Sequence, residues 1–216
     1  QLFVCRGRKY LYAGRRKAAD AKRNTIGWSL AILQILNTIL YAAYRIGSGY
    51  WDIRYDLPME FCNWSLLFSI FALTTQRQLL AEISYLWVMA GSVQGVITPD
   101  LQVSYPHVYF FVFFINHSGL TISALYLIFG LKLYPRKGSV LRSIVVLELY
   151  VVSALIVNYL VHSNYGYLMS KPVSGSLMDY MGPWPYYIIS LQLIAAAAFT
   201  ILYLPFYIKN KLIELR

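Results

Sequence analysis

The chain has 216 residues, 58% of them hydrophobic and only 13% charged, with a mean hydropathy of +0.51. That is about half the usual globular share of charge, which excludes a soluble domain, and unbroken apolar runs exclude a β-barrel, whose strands alternate polar and apolar. The expected class is all-α, a polytopic membrane helical bundle with six complete transmembrane helices. The net charge of +10 would also fit a nucleic-acid binder, but its placement follows membrane topology, so no nucleic-acid partner is expected.

Gln1-Leu2-Phe3-Val4-Cys5 reads as the tail of an apolar segment, so a seventh helix upstream is expected. Residues 6–23 form a basic connector carrying Arg6, Arg8, Lys9, Arg15, Arg16, Lys17, Lys22 and Arg23 against a lone Asp20. Anionic headgroups attract such a segment at about 1 kcal/mol per basic residue. The first complete span is 25–44, where Gln34, Asn37, Tyr41 and Tyr44 share one helical face and should turn toward the bundle. The loop that follows, with Gly47, Gly49, Tyr50 and Trp51, sits at headgroup depth.

The second span is 57–75, with Pro58 expected in its first turn and Cys62, Ser65 and Ser69 on one face. The third is 79–97, where Gly91 and Gly95 make a small-xxx-small pair that lets another helix approach closely. The fourth, 106–133, holds His117 behind Phe110, Phe111, Phe113 and Phe114. An ionisable group at that depth is costly and marks a candidate site whose partner must be found. The fifth span, 141–161, carries Glu148. An outer aromatic loop, 162–185, is expected to fold over the mouth of the bundle. The sixth span, 186–207, contains small residues at 195–198. With residues 6–23 and the C-terminus inside, every basic residue but Arg45, Arg54 and Lys171 falls on the cytoplasmic side, so a multi-pass cell-membrane protein with that orientation is expected.

In that topology Cys62 and His117 share the outer half of the membrane. Their depths differ by several ångströms at 1.5 Å per residue, a gap that helix tilts of about 20° close. A thiol beside an imidazole makes a nucleophile and base, because the thiolate is the reactive form; a buried cysteine is otherwise an inert small hydrophobe. A sulfur within about 4 Å of an imidazole nitrogen favours an enzyme. A wide separation, with His117 facing a polar channel, favours transport. Glu60 points about 200° from Cys62 on a helix and is expected to pair with Arg45 or Arg54. Glu148 is either protonated or paired with His117, Asn37 or Gln94, and could orient the imidazole or relay protons. His107 and His162 read as ordinary surface imidazoles. The two cysteines make no disulfide framework, and no metal-ligand spacing, phosphate loop or nucleophile elbow is present. No cofactor or metal is expected.

Leu57-Pro58-Met59-Glu60-Phe61-Cys62-Asn63, Thr98-Pro99-Asp100-Leu101, Pro106-His107, Phe113-Phe114-Ile115-Asn116-His117, Asn164-Tyr165-x-Tyr167-Leu168-Met169-x-Lys171-Pro172 and Gly182-Pro183-Trp184-Pro185 follow one another in order. As an ordered set they resemble the YwaF-type bacterial integral membrane proteins, grouped with the transmembrane-protein-164 family, from about residue 24 onward. The resemblance implies fatty-acyl transfer onto glycerophospholipids, with Cys62 as the acyl-accepting nucleophile and His117 as base. It also implies an additional N-terminal helix. One departure stands out: bacterial members often carry His two residues before the cysteine, where this chain has Glu60.

The expectation is therefore a membrane-embedded acyltransferase or transacylase whose partners are membrane lipids, with a phospholipid or lysophospholipid as substrate. Asn63 or Asn116 is the candidate oxyanion donor, and Phe113, Phe114 and the lid residue Trp184 are candidates to line the acyl-chain groove. The alternative is a small-molecule transporter or substrate-binding membrane component, with His117 and Glu148 along a polar path. A third reading is a structural partner of another membrane protein.

Overall fold

A computed structural model describes residues 2–99, 101, 103–173 and 176–214, with side chains only within 21–212 of that set. Gln1 and Asp100, and the side chains of the basic segment up to residue 20, lie outside the described residues, so the upstream-helix expectation does too. The chain is helical: α1 (Leu2–Gly47), α2 (Phe61–Thr75), α3 (Gln78–Trp87), α4 (Gln94–Ile97), α5 (Val108–Leu125), α6 (Ser139–Val161) and α7 (Tyr186–Glu214). Two π-helical turns, Val88–Ser92 and Tyr126–Gly130, continue α3 and α5. Ala21–Gly47, Gln78–Ile97, Val108–Gly130, Ser139–Val161 and Tyr186–Leu212 are long and apolar enough to cross a membrane. In an apolar solvent, backbone groups must be paired within the segment, which helices alone achieve without closing a barrel. We call the end bearing Asp56, His107 and His162 the upper end, and that bearing Gln76 and Arg136 the lower.

Two segments differ from the sequence reading. The basic segment is not a separate connector, since its backbone continues the first span as one helix. Span two enters as extended chain and becomes helical only at Phe61, after an N-cap Glu60 in extended conformation. Pro58 therefore precedes the helix instead of opening it. The reason is tertiary: the Leu57 N–H donates to the Tyr165 hydroxyl, which in turn donates to the Ile53 carbonyl. Tyr165 thus holds residues 53–57 against the long loop, and α2 is left with 15 residues.

The expected polar stripe of α1 does face the bundle, along α5. Gln34 Nε2 donates to the Asn116 carbonyl (3.2 Å) and Asn37 Nδ2 to that of Val112 (3.0 Å), one turn higher. Gly119 admits the Gln34 amide, whose Nε2 would stand 2.7 Å from any Cβ there. At the lower end Tyr126 donates to the Arg23 carbonyl. Arg45 grips Asp56 with two 2.8 Å hydrogen bonds at the upper end.

Helix α3 is the centre of the bundle, buried on every side over residues 81–88 and touching α2, α6 and α7. Trp87, wholly buried, stacks on Phe61 at 4.9 Å and donates Nε1–H to the Ser143 carbonyl. Glu82 on the same helix is also wholly buried. It accepts from Arg136 (2.7 Å) and Arg142 (2.7 Å), clamping the α5–α6 connection to α3. Glu148, the buried charge expected from sequence, is instead exposed, with Gln192 as its donor at 2.8 Å.

Charge-assisted hydrogen bonds are worth about 1.5–3 kcal/mol each, so Glu82→Gln should destabilise by about 2 kcal/mol or more. Glu148→Gln should cost less, because it breaks no ion pair and keeps an acceptor for the Gln192 amide. Thermal unfolding of both variants in detergent checks the contrast.

Candidate functional site

Helix α5 begins at His107, whose Nδ1 caps the Tyr109 N–H (3.1 Å), and carries His117 into the bundle, 7% exposed. The imidazole is held from three sides. Its Nδ1 lies 2.9 Å from the Phe113 carbonyl one turn back, and the Phe113 ring stacks on it at 4.1 Å and 30°. On the third side is Gly95, where a Cβ would stand 2.7 Å from Nε2. The close approach anticipated from Gly91 and Gly95 thus has a specific use: Gly95 seats the imidazole, and Gly91 seats the Phe61 ring at 2.6 Å from where its Cβ would be.

A carbonyl only accepts hydrogen bonds, so the Phe113 contact assigns the proton to Nδ1. Nε2 then presents a lone pair, and what it faces is the sulfur of Cys62, 3.3 Å away. No acidic side chain hydrogen-bonds to either ring nitrogen among the described residues, so no carboxylate favours the imidazolium. The arrangement is a thiol with a base already in place. On attack at a carbonyl carbon, the thiol proton has an acceptor without any movement of His117.

Cys62 packs beside Leu66, Val88 and Leu120. Ser65 and Ser69, on its face, serve elsewhere: Ser65 donates to the Phe61 carbonyl, and Ser69 meets Ser84 at 2.7 Å. Asn63 is half-buried next to the thiol in sequence. The Asn116 carbonyl is taken by Gln34, and its Oδ1 is buried without a partner. Ser92 is the residue that sequence reasoning passed over. It closes the π turn, is wholly buried, and its hydroxyl faces the Cys62 sulfur and no other polar group. Its i, i+3 relation to Gly95 puts it on the helical face that meets His117. The spacing of Ser92 to Gly95 was available in the sequence; the π turn was not.

Glu60 and Glu148 take no part in the pair. Glu60 accepts from the Gly166 N–H at 3.0 Å. Its expected partners are engaged elsewhere: Arg45 with Asp56 and Arg54 with Asp52, whose carboxyl Arg54 holds down at about 2 by hydrogen bonding. Gln192, and not His117, Asn37 or Gln94, is the partner of Glu148. Phe114 packs on Phe110 and Phe113, and Phe113 on the imidazole. Neither lines the cavity of about 230 Å3 beside the site, whose walls include Phe61, Gly91, Leu147, Tyr150, Ala195 and Leu168. Trp184 stands over that region, donating Nε1–H to the Leu168 carbonyl. Among the described residues no cluster of His, Cys, Asp or Glu could hold a metal.

A polytopic helical membrane protein with a thiol–imidazole pair inside the bundle is the class that fold and site define. A family model described as the TMEM164 family matches residues 2–203, and the chain belongs to that family. No curated protein and no solved structure matches it.

Gly95→Ala should push the imidazole off the thiol, an overpacking cost of about 1–3 kcal/mol. His117→Ala should slow alkylation of Cys62 by a lipophilic maleimide by a factor of about ten or more at neutral pH, with Gly95→Ala moving in the same direction. Mass mapping of the Cys62 peptide over time reads both.

Proposed function

We propose that this protein is a membrane-embedded acyltransferase acting on phospholipid fatty-acyl chains through a Cys62 thioester. The observation that carries the reading is the 3.3 Å approach of His117 Nε2 to the Cys62 sulfur, with Nδ1 anchored on the Phe113 carbonyl. Sγ attacks the ester carbonyl of a donor phospholipid as its proton passes to Nε2. The tetrahedral intermediate collapses with loss of the glycerol oxygen, which takes that proton and leaves as a lysophospholipid. The hydroxyl of an acceptor lysophospholipid then attacks the thioester, its proton passing to Nε2 and from there to the departing sulfur. Atoms and protons balance without a cofactor.

The oxyanion needs a donor within the bundle. The buried hydroxyl of Ser92, which faces Cys62 and no other polar group, supports that role. Asn63, next to Cys62, is the second candidate. The positive-inside rule orients the lower end, with Arg77, Lys132, Arg136, Lys137 and Arg142, toward the cytoplasm. The site then lies nearer the outer leaflet.

Incubation of the purified protein with a phospholipid donor should add the mass of one acyl group. Hydroxylamine should remove that increment, and Cys62→Ala should never show it. Ser92→Ala should retain the thiol–imidazole pair but lower transfer by a factor of about 10²–10³ if Ser92 is the oxyanion donor. A Cys62→Ser protein with full transfer activity would overturn the mechanism.

A further inference from the structure

Beside the thiol, on the other side of Phe61 and Gly91, the cavity between the π turn of α3, α6 and α7 shares a wall with the site. Phe61 and Gly91 line the cavity, and the next residues along the chain, Cys62 and Ser92, belong to the site. The lining is mostly apolar: Leu147 and Val151 from α6, Ile188, Ala195 and Ala198 from α7, with Leu168 of the long loop as roof. Ile194 lines the cavity and is also 52% exposed on the apolar face of α7. The cavity therefore opens sideways, between α6 and α7, toward the hydrocarbon.

Two polar side chains break the apolar lining: Gln192, which donates to Glu148, and Tyr150. Tyr150 is 3% exposed, and its buried hydroxyl, faced by the Phe61 backbone N–H, has no acceptor for its own proton, although it belongs to the wall. A buried phenol ordinarily finds an acceptor. Gly166, with φ +66°, passes directly over that hydroxyl, where a Cβ would collide with it. The N–H of Gly166 is already committed to Glu60. The loop therefore closes the top of the cavity without satisfying the phenol, which leaves its proton for an occupant.

We propose that this cavity is a lipid acyl-chain pocket: one fatty-acyl chain enters between α6 and α7, its methylenes lie against Leu147, Val151, Ala195 and Ala198, and an ester oxygen accepts from Tyr150. The identity of the occupant rests on the acyl-transfer reading. Phe61 is the partition between chain and thiol, held flat by Trp87 at 4.9 Å with the space that Gly91 leaves. Ala195 and Ala198 set the length of chain that fits, because any larger side chain there projects into the cavity.

The test uses the full-length protein in phosphatidylcholine vesicles containing a phospholipid with a photoreactive diazirine in its acyl chain. Crosslinked peptides are mapped for the wild type, Cys62→Ala, Ala195→Phe and Tyr150→Phe. The pocket predicts labelling of residues around Leu147 and Ala195 that persists in Cys62→Ala, since occupancy does not need the thiol. It should fall at least fivefold in Ala195→Phe and severalfold in the conservative Tyr150→Phe, and Ala195→Phe should shift transfer toward shorter chains. Labelling confined to lipid-facing residues such as Leu149 and Val152, unchanged by Ala195→Phe, would overturn the pocket. Cavity labelling in a wild type that never forms a thioester would overturn acyl transfer and leave the pocket standing.

Discussion

The constraint on which the structure depends is the burial of α3 on every side from Ala81 onward in an apolar bundle. A helix surrounded on all sides can carry a charge only if that charge is neutralised where it stands. Glu82 meets the condition through Arg136 and Arg142, each at 2.7 Å. Both arginines keep part of their surface exposed, 57% and 36% of the side chain, so the desolvation cost falls mainly on the carboxylate. In return, the α5–α6 connection is tied to the central helix, and α3 is fixed at the lower end. Its upper end, through the π turn and α4, then has a defined position against α5. That position is what lets Gly95 lie against an imidazole.

A second restraint acts on α5 itself. Gln34 and Asn37 bind carbonyls of α5 one turn apart, which sets the register of α1 against it. With α5 held on one side by amides and on the other by the Gly95 contact, His117 has little freedom to turn. The Phe113 carbonyl then decides which ring nitrogen bears the proton. The reactive geometry is thus the end of a chain of ordinary packing requirements. The N–H donors along it, the Gln34 and Asn37 amides and the imidazole Nδ1, are satisfied by helix carbonyls, which is the pattern a water-free surrounding demands.

The π turn at Val88–Ser92 interrupts the regular bonding of α3, and such interruptions often occur at functional positions. Here it contains Gly91, which seats Phe61, and ends just before Gly95, which seats His117. One side of the segment borders the thiol and the other the apolar cavity. The long loop closes the upper end through Tyr165, Asn158 and Gly166. Polar demands of the loop are met by asparagine and tyrosine side chains, so it can lie over an apolar cavity without leaving its own backbone exposed to it.

By itself the sequence determined the class and five long apolar helices, because hydropathy and helical period are local properties of the chain. It also singled out Cys62 and His117, because a thiol and an imidazole in apolar runs are conspicuous by type. The polar stripe of α1 was legible for the same reason: Gln34 and Asn37 repeat at helical spacing. What it misjudged depends on neighbours far along the chain. Glu82 and Glu148 are alike as residues in apolar helices, and only the packing of α3 inside and α6 outside makes one buried and the other exposed. Pro58 misses the first turn because Tyr165, more than a hundred residues on, takes the preceding N–H. Glu60 turns to Gly166 because the arginines have nearer aspartates. Phe113 and Phe114 of α5 are not in the wall of the cavity beside the site, because α6, α7 and the π turn of α3 bound it. Tertiary structure alone decided these points, since burial and partner choice are set by which helix faces meet, and no local pattern encodes that.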